Sequence, residues 1–553
     1  MTEDEFDLFF SRPLPPQEEG PLSERLGLVV GGSLSKGLAV KLDRERSTEE
    51  LTVGSYVVIQ GRKKRFFGMI TDISLDSTNP MLEKTPPDVS NHYIAEVMLG
   101  TSTFGKMHVS PMLTIEENGE PRPVKTIPAH FASVYRADPG DVQNVFGGEE
   151  PGYFHVGEPL DMEGIKIYLN LNRFVERSSG VFGKSGTGKT FLARMLLAGI
   201  IQETDAVNLI FDMHNEYGWA GEAEGGYTVK GLKQLFESRV AIFTLDEESS
   251  RRRGIRPDFV VKISYDQIEP QDLELLSQII GLTEAGIGAI YFLHKLKGKG
   301  WLKYFLDISS DELEMLVKEH NQNAATLSAL LRRLAFLERL GFLKPEAVDN
   351  SVERILEYIN RGISVVLEFG RYGDSLAAYI LVANYLTRRI HDIYVHRKEE
   401  ALGRGGERPK PLVITIEEAH KFLDPEISRY TIFGTIAREM RKYNVTLLIV
   451  DQRPSGIDPE VMSQIGTRVT CLLDDENDIR AIFTGISGAG QLREVLARLD
   501  TRQQALILGH AVPMPVVIRT RPYDKDFYKS FLSDPQEELK RNIMLLRGDD
   551  DGS

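Results

Sequence analysis

The stretch Gly183-Lys184-Ser185-Gly186-Thr187-Gly188-Lys189-Thr190 has the G-x-x-x-x-G-K-[ST] pattern of a phosphate-binding loop. Its glycines let the chain turn tightly, so that successive backbone N–H groups point at bound phosphates. Lys189 is placed to reach the β and γ phosphates, and the Thr190 hydroxyl is placed to bind Mg²⁺. The sequence therefore predicts a nucleotide-binding protein that uses Mg²⁺, with the loop and the following Phe191 as its nucleotide site.

The residues on either side of the loop agree with this interpretation. Residues 180–182 form a short apolar run, and the apolar residues of 191–202 repeat at helical spacing. A strand before the loop and a helix after it are the surroundings that such a loop requires. The alternative, a glycine-rich turn that binds no ligand, leaves this context unexplained.

Length and composition indicate a soluble protein of several domains. The 553 residues predict two to four domains, and 41% hydrophobic with 27% charged residues is typical of globular proteins. No apolar run approaches the roughly 20 residues that cross a bilayer, and residues 1–5 are acidic where a signal peptide would be basic. We therefore expect a cytoplasmic protein without membrane association. The single Cys471 lies in an apolar run and is expected to be a buried strand residue.

The formal net charge of −15 argues against a surface that is basic all over, as a DNA-coating protein would have. A locally basic channel remains compatible with this charge. Three basic clusters are candidates for it, although solvated loops explain each one equally well: residues 251–256, 295–299 and 404–410.

Changes of pattern divide the chain into segments. Residues 1–24 form an acidic, Pro-rich arm with an apolar island at 6–10. In 25–150, short β-branched runs separated by glycines predict a small β-barrel, with strands near 28–32, 56–61, 66–73 and 93–97. From 151 an α/β pattern begins, and its predicted parts are a first core segment at 151–264, a helical insertion at 265–360, a second core segment at 361–521, and a C-terminal helix with an acidic tail at 522–553.

Continuous apolar runs in the α/β region predict strands that are covered on both faces of a largely parallel sheet. These runs are residues 206–211, 364–367, 412–416 and 445–450. The third run ends in Glu417 and Glu418, as a Walker B strand does beside a bound nucleotide. Glu417 is then expected to hold the Mg²⁺ shell, and Glu418 to polarise the attacking water as general base. Taken alone, the two acids could equally cap a helix.

Two further strand ends are expected at the same edge, because ligands bind outside the carboxyl ends of parallel strands. Gln452 follows the strand 445–450 and is placed to sense the γ-phosphate. The second strand end carries Asp212, His214 and Glu216, for which turn formation is nearly as good an explanation. Arg438 and Arg441 share a helix face, and either is a candidate for an arginine finger acting on a neighbouring subunit, although their spacing alone favours a surface helix with salt bridges.

Four motifs, taken in order, make the chain resemble the HerA helicase and translocase family of the FtsK–HerA branch of P-loop ATPases. They are the loop at 183–190, Asp212-x-His214-x-Glu216-Tyr217, Glu417-Glu418-Ala419-His420, and Arg438-Glu439-x-Arg441-Lys442 with Gln452-Arg453-Pro454-Ser455. The resemblance covers most of the chain, through Arg521. It implies a HAS-barrel N-terminal domain, a RecA-like ATPase core with a helical insertion, and a C-terminal segment that braces the next subunit.

The resemblance also implies a homo-hexameric ring that threads double-stranded DNA through its channel and works with a NurA-like nuclease in DNA end resection and repair. Carried over by position, Lys189 and Thr190 bind ATP and Mg²⁺, Glu418 activates water, Gln452 is the sensor, and Arg441 is the preferred finger. Two positions depart from the family pattern, Met440 in place of Gly and Asp451 in place of Ser. Asp451 is expected to add negative charge near the nucleotide.

Two alternatives to a DNA motor stay open at this stage. The ring could be an ATPase scaffold that assembles and activates a nuclease or another effector, for example in anti-phage defence, with the effector bound to the barrel or to residues 6–10. A protein-remodelling ATPase is the weaker alternative.

Overall fold

The computed structural model describes residues 25–531, except 87–89, 91–96, 99–100, 116–119, 223–227, 347–348, 405–407, 429–430, 440–441, 487–489 and 502. The predictions for the arm at 1–24, the acidic tail, Met440 and Arg441 lie outside these residues, as does most of the predicted strand at 93–97. The chain divides into two compact units. The first ends at Val145 rather than at 150, and it includes Leu160–Met162 and Gly490–Val495, which sequence patterns assigned to the core.

The first unit is a β-barrel, as predicted. Its strands are β1 Arg25–Ser33, β2 Gly37–Leu42, β3 Tyr56–Gln60, β4 Arg65–Ser77, β5 Thr103–Ile115, β6 Arg122–Pro123 and β7 Ser133–Arg136. They follow the order β2-β1-β7-β3-β4-β5-β6, and pairing of β2 with β5 closes six of them into a ring. Inward side chains such as Val40, Ile59 and Val109 fill the interior and are fully buried. Among the described strands, closure leaves only the short β6 at an edge, which limits unpaired backbone groups.

The second unit is an α/β structure. Its strands are β8 Tyr153–Glu158, β9 Ile167–Asn170, β10 Ser179–Phe182, β11 Val207–Asp212, β12 Gly221–Glu222, β13 Thr228–Val229, β14 Val240–Thr244, β15 Phe259–Val260, β16 Ile263–Ser264, β17 Leu343–Lys344, β18 Ser364–Glu368, β19 Leu412–Glu417, β20 Val445–Asp451, β21 Thr467–Thr470, β22 Gln504–Gly509 and β23 Val516–Thr520. Twelve of them form one sheet in the order β15-β14-β18-β11-β19-β20-β10-β21-β22-β23-β8-β9, and β12–β13 and β16–β17 form two small pairs.

The large sheet has a parallel and an antiparallel part. Strands from β15 to β21 are parallel, and β22, β23, β8 and β9 extend the sheet with antiparallel pairs. Every residue of β11, β18, β19 and β20 is buried. The four predicted apolar strands are therefore confirmed, each ending one residue beyond the apolar run in an acid. These acids lie at one edge of the sheet, because the strands are parallel.

The described helices belong to the barrel unit, to the α/β unit or to the insertion within the α/β unit. They are α1 Met81–Lys84, α2 Pro139–Phe146, α3 Leu171–Glu176, α4 Lys189–Glu203, α5 Leu232–Phe236, α6 Glu247–Arg252, α7 Pro270–Glu274, α8 Ser277–Ile280, α9 Glu284–Lys297, α10 Trp301–Leu306, α11 Ser310–Glu319, α12 Ala324–Leu334, α13 Ser351–Asn360, α14 Leu376–Arg404, α15 His420–Leu423, α16 Ile432–Glu439, α17 Pro459–Gln464, α18 Glu476–Ile482, α19 Gly490–Ala497 and α20 Lys525–Lys529. Within the described residues, none of these helices has the length and hydropathy needed to cross a bilayer.

Helix α14 connects the sheet edge to the insertion. Its 29 residues give it a length of about 44 Å. Near its start, the Tyr379 hydroxyl donates to the Glu417 carbonyl at 3.0 Å and accepts from the Glu417 N–H at 3.1 Å. Further along, Arg388 lies 2.6 Å from Glu269 and 3.1 Å from the buried Asp272 of α7. One helix is thus bonded both to the end of β19 and to the insertion.

Candidate nucleotide-binding and catalytic site

The phosphate loop runs from the end of β10 into α4. Three of its glycines have positive φ, +152° at Gly183, +78° at Gly186 and +89° at Gly188. A Cβ at Gly183 would stand 2.8 Å from the Cβ of Cys471 and 2.9 Å from Oγ1 of Thr187. No other residue fits that position, since both the backbone angle and the space exclude a side chain.

Neighbouring strands hold the loop through its backbone. The Gly183 N–H donates to the Asp451 carbonyl of β20 at 3.3 Å, and the Lys184 N–H donates to the Leu472 carbonyl after β21 at 3.0 Å. Inside the loop, the Thr187 hydroxyl donates to the Lys184 carbonyl at 2.8 Å. These bonds fix the loop from both sides, so its shape exists before a ligand binds.

The loop presents positive potential toward its concave side. Lys189 donates from Nζ to the Lys184 carbonyl at 2.9 Å. Burial lowers the pKa of Lys189, and Cys471 together with the carboxylates of Glu418 and Asp451 acts in the opposite direction. Helix α4 begins at Lys189 with no side-chain cap on its first N–H groups. Free N–H groups at a helix start and a half-buried ammonium group are suited to bind phosphate.

Glu417, the last residue of β19, lies in a buried polar environment. Oε1 accepts a hydrogen bond from the Tyr217 hydroxyl at 2.9 Å, while Oε2 has no partner among the described residues. Burial, aided by the charges of Asp212 and Glu216, raises the pKa of Glu417 to about 8. Such a carboxyl group is poised to gain from a nearby cation, which would favour its charged form.

Glu418 differs from Glu417 in backbone conformation, exposure and hydrogen-bond partner. Its backbone has φ of +48°, a left-handed conformation that costs about 1–2 kcal/mol for a residue with a side chain. Its side chain is 29% exposed. The carboxylate accepts from Nε2 of Gln452 at 3.3 and 3.4 Å. A partly exposed carboxylate beside an amide at the sheet edge is able to accept a proton from a bound water.

A second connection joins the same two strand ends. The Asp451 carboxylate accepts from the His420 N–H at 2.8 Å and lies 3.0 Å from Nδ1 of the His420 ring. It also accepts from the Arg453 N–H at 2.6 Å. We refer to Glu417, Glu418, His420, Asp451 and Gln452 together as the carboxylate corner. Its members come from β19, β20 and the residues that follow these strands.

Comparisons with known proteins agree with this geometry. Residues 154–390 match the family model described as the central domain of helicase HerA, and residues 26–103 match that of the HAS barrel domain. The chain belongs to the HerA helicase family. It is therefore an ATP-hydrolysing enzyme of the helicase and translocase class. The fold expected from the resemblance, a HAS barrel with a P-loop α/β core, is confirmed.

Curated relatives align with most of the chain. The DNA double-strand break repair helicase HerA of Saccharolobus solfataricus is 25% identical over 89% of this chain and 91% of its own length. The protein of the same name from Sulfolobus acidocaldarius is 24% identical, with 93% and 97% covered. Among solved structures, the plasmid coupling protein TrwB with an ATP analogue has a TM-score of 0.46 at 11% identity and covers 70% of this chain and 92% of that chain.

Of the two arginine candidates for a HerA-type finger, only Arg438 lies among the described residues. Its guanidinium group donates to the Ser428 hydroxyl at 3.1 Å and lies 3.4 Å from Asp458 and 3.5 Å from Glu460. These partners belong to the same chain and leave the side chain 21% exposed. The sequence candidate Arg438 is thus engaged with partners of its own chain in this structure.

The Asp212 side chain stabilises the turn that follows β11. The carboxylate accepts from the N–H groups of Glu216, Tyr217 and Gly218 at 2.7, 2.9 and 3.2 Å. Burial raises the pKa of Asp212. The side chain of His214 is exposed. The motif contributes to the site through the Tyr217 hydroxyl, which donates to Glu417, and through the charges of Asp212 and Glu216, which raise the pKa of Glu417.

The Phe191 ring lies away from the phosphate loop and toward the C-terminal segment. Its centroid is 6.3 Å from that of Tyr523 and 5.6 Å from the guanidinium carbon of the buried Arg194. Phe191, in the first turn of α4, therefore packs against Arg194 of the same helix and against Tyr523 of the segment that precedes α20. Its contact with the nucleotide stays a prediction.

The basic clusters are unlike one another. Arg251 and Arg253 are paired with Glu247 and Glu368, each at 2.6 Å. Residues 295–299, at the end of α9, are exposed. Arg408 and Lys410 are also exposed, on the approach to β19. The first cluster is thus partly neutralised by the chain itself, and the other two keep exposed positive charge.

Sequence reasoning missed Tyr379, and it included Tyr217 and His420 in the family motifs without giving either a role in the site. Tyr379 lies in the first turns of α14, and nothing in its local sequence marks it. Asp451 was noted as a departure that adds charge near the nucleotide. In the structure the Asp451 side chain is fully buried, and its carboxylate is hydrogen-bonded to His420 and to the Arg453 N–H.

Proposed function

We propose that this member of the HerA family couples ATP hydrolysis to movement along double-stranded DNA in the repair of DNA breaks. One observation carries the proposal: a phosphate loop, a buried acid and a partly exposed acid facing an amide meet at one sheet edge. This arrangement occurs in a chain that aligns over 89% and 93% of its length with two DNA double-strand break repair helicases. Both the site and the extent of the similarity support a motor subunit.

In the proposed reaction, the loop N–H groups, the start of α4 and Lys189 bind the ATP phosphates. Glu418 accepts a proton from the attacking water, and Gln452 orients that water or senses the γ-phosphate through its amide. The Gln452–Glu418 contacts of 3.3 and 3.4 Å are long, as is common in sites that tighten only when substrate is bound.

Thr190 and Glu417 would hold Mg²⁺. The fit is supported by Oε2 of Glu417, a buried acceptor without a partner in the part of the chain that the structure describes. No group of three or more His, Cys, Asp or Glu side chains is arranged as a metal site among the described residues. The remaining ligands would therefore be phosphate oxygens and water, as is usual for Mg²⁺ with nucleotides. The bound ion would neutralise charge on the phosphoryl oxygens.

We further propose a homo-hexameric ring that encloses duplex DNA, cooperates with a NurA-like nuclease in end resection, and completes each site with an arginine from the next subunit. Arg441 is our preferred finger, since Arg438 is held by Ser428, Asp458 and Glu460 of its own chain. An arginine at this position offsets the charge that builds up during phosphoryl transfer.

The motor is tested by steady-state ATP hydrolysis with linear duplex DNA, with single-stranded DNA of the same sequence, and without DNA. We expect duplex DNA to stimulate turnover, and the stimulation to fall steeply from about 50 to about 200 mM salt, because phosphate contacts release counterions. Glu418→Gln is the control and should abolish the stimulated rate. Turnover that is indifferent to DNA would contradict the motor and support the scaffold alternative, with co-purification of an effector as the next experiment.

The finger is tested by mixing subunits. Arg441→Ala and Glu418→Gln should each be inactive alone, and mixed rings should regain part of the activity, because an intact Arg441 then meets an intact Glu418 of the neighbour. Arg438→Ala should instead lower thermal stability and gain nothing from mixing. Recovery with Arg438→Ala rather than with Arg441→Ala would reverse the assignment. Sedimentation of the unmixed protein reports the ring size.

A further inference from the structure

Two neighbouring strand ends are joined by a pair of side-chain contacts. After β19 come Glu418 and His420, and β20 ends in Asp451, followed by Gln452. Gln452 donates to Glu418, and the His420 ring contacts Asp451. The first contact includes the proposed base, while the second has no part in the reaction described above.

The second contact is the better bonded of the two. Nδ1 of His420 lies 3.0 Å from Oδ2 and 3.2 Å from Oδ1 of Asp451, and the His420 N–H donates to Oδ2 at 2.8 Å. Because an ionised carboxylate only accepts hydrogen bonds, the proton of this contact is on Nδ1. The Asp451 side chain is fully buried and that of His420 is 13% exposed, so solvent hardly competes with the bond.

The residue between these anchors and β19 has an unfavourable backbone. Glu418 adopts a left-handed conformation that residues with side chains rarely keep unless their surroundings enforce it. Two residues later the chain is fixed to Asp451 by the ring and the N–H of His420. Glu418 is fixed on its other side by β19, whose last residue is bonded to Tyr379.

Asp451 also connects this turn to the phosphate loop. Its carbonyl accepts from the Gly183 N–H at 3.3 Å, while its carboxylate binds His420. One residue therefore sets the distance between the loop that binds phosphates and the turn that carries Glu418.

We propose that His420 and Asp451 are positioning residues, which hold the turn after β19 so that the Glu418 carboxylate points at Gln452 and the bound nucleotide. This inference rests on the proposed function only in requiring that Glu418 acts in ATP hydrolysis. It does not depend on DNA. A simple cap of the turn would need only the two N–H groups bonded to Asp451, and the His420 ring would then be dispensable.

The test uses three substitutions of His420 in the full-length protein. His420→Asn keeps an N–H donor near the position of Nδ1, His420→Gln moves the donor toward the position of Nε2, and His420→Leu removes it. Turnover and KM for ATP are measured without DNA, together with thermal unfolding. We expect His420→Leu and His420→Gln to lower kcat about tenfold or more with little change in KM, and His420→Asn to recover most of it. Equal kcat in all three variants would overturn the proposal.

A double-mutant cycle asks whether His420 acts through Glu418. In the Glu418→Gln background, His420→Leu should cause almost no further loss, because the group that it positions is already gone. A further loss as large as in the wild-type background would assign His420 a merely structural role and overturn the proposal. Single-turnover measurements keep the slow variants within range.

His510→Leu is the matched control. His510 also pairs with a carboxylate, since its Nε2 lies 3.1 Å from Glu176, but this pair joins the residue after β22 to the end of α3 and includes no member of the carboxylate corner. Its loss should leave kcat unchanged. Because these measurements omit DNA, a protein that hydrolyses ATP without responding to DNA would contradict the motor and leave the role of His420 to be decided by the cycle.

Discussion

The phosphate loop and the carboxylate corner face the same space but are built in opposite ways. The loop is held by backbone bonds, from Gly183 to the Asp451 carbonyl and from Lys184 to the Leu472 carbonyl. The corner is held by side chains that come from distant parts of the chain, such as Tyr217 and Gln452. The shape of the loop therefore depends mainly on its backbone bonds, and the corner depends on individual side chains.

The electrostatics of the two regions differ as well. Burial lowers the pKa of Lys189 in the loop and raises that of Glu417 in the corner, so each would gain from an opposite charge. A nucleotide with its metal ion supplies both charges: the phosphates would stabilise charged Lys189 in the loop, and the cation would stabilise charged Glu417 in the corner. We expect changes in the loop to affect nucleotide binding and changes in the corner to affect turnover.

The largest effect is expected in the loop, for Lys189→Ala. Loss of charge-assisted bonds to two phosphates should lower kcat/KM for ATP about a thousandfold, with weaker nucleotide binding as the cause. Binding of a fluorescent ATP analogue and steady-state hydrolysis check this. Lys303→Ala, which removes a lysine paired with Glu346 on the insertion, is the control and should change neither. If Lys189→Ala bound the ATP analogue normally but turned over slowly, the loop would act on turnover as the corner does, and the expected difference between the two regions would be contradicted.

In the corner, Glu418→Gln should lower kcat about a hundredfold, because the amide cannot accept the proton of the attacking water. The dissociation constant of the ATP analogue should change little. The comparison would fail if this variant lost nucleotide binding as Lys189→Ala does, since Glu418 would then contribute to the shape of the phosphate site.

Tyr217→Phe sharpens the comparison by removing a single hydroxyl group from the corner. Oε1 of Glu417 would lose its donor in a buried place, and we expect the free energy of unfolding to fall by about 1–3 kcal/mol. Denaturant titration of the variant measures it. The matched control is Tyr291→Phe, whose hydroxyl donates to Glu274 at 2.7 Å in a more exposed place and should contribute much less. Equal losses in both variants would show that burial of the corner is unimportant.

The smallest effect concerns Cys471, which packs beneath the loop. Burial raises the pKa of its thiol to about 11, so at pH 8 only about one thiol in a thousand is ionised. We expect the folded protein to react very slowly with a thiol reagent such as DTNB, and the denatured protein to react fully. Rapid labelling in the folded state would show that the loop opens to solvent.

The two regions also differ in how far the sequence reveals them. Eight consecutive residues define the loop, and the strand and helix around it follow from short-range hydrophobic patterns. The acids Glu417 and Glu418 were identified because they end an apolar run. Their contrasting environments were not, because the left-handed turn and the contacts with Tyr217 and Tyr379 depend on tertiary packing. The family resemblance suggested arginine positions, but only packing shows that Arg438 is bonded within its own subunit.

Helix α14 gives the corner a mechanical connection. Tyr379 is bonded to the backbone of Glu417, and Arg388, nine residues along the same helix, is bonded to Glu269 and Asp272 of the insertion. An α-helix is stiff along its axis, and this span is about 14 Å. Any shift of the β19 end along that axis would thus push the insertion by a similar amount. The helix would thus transmit a displacement at the catalytic site to the helical insertion.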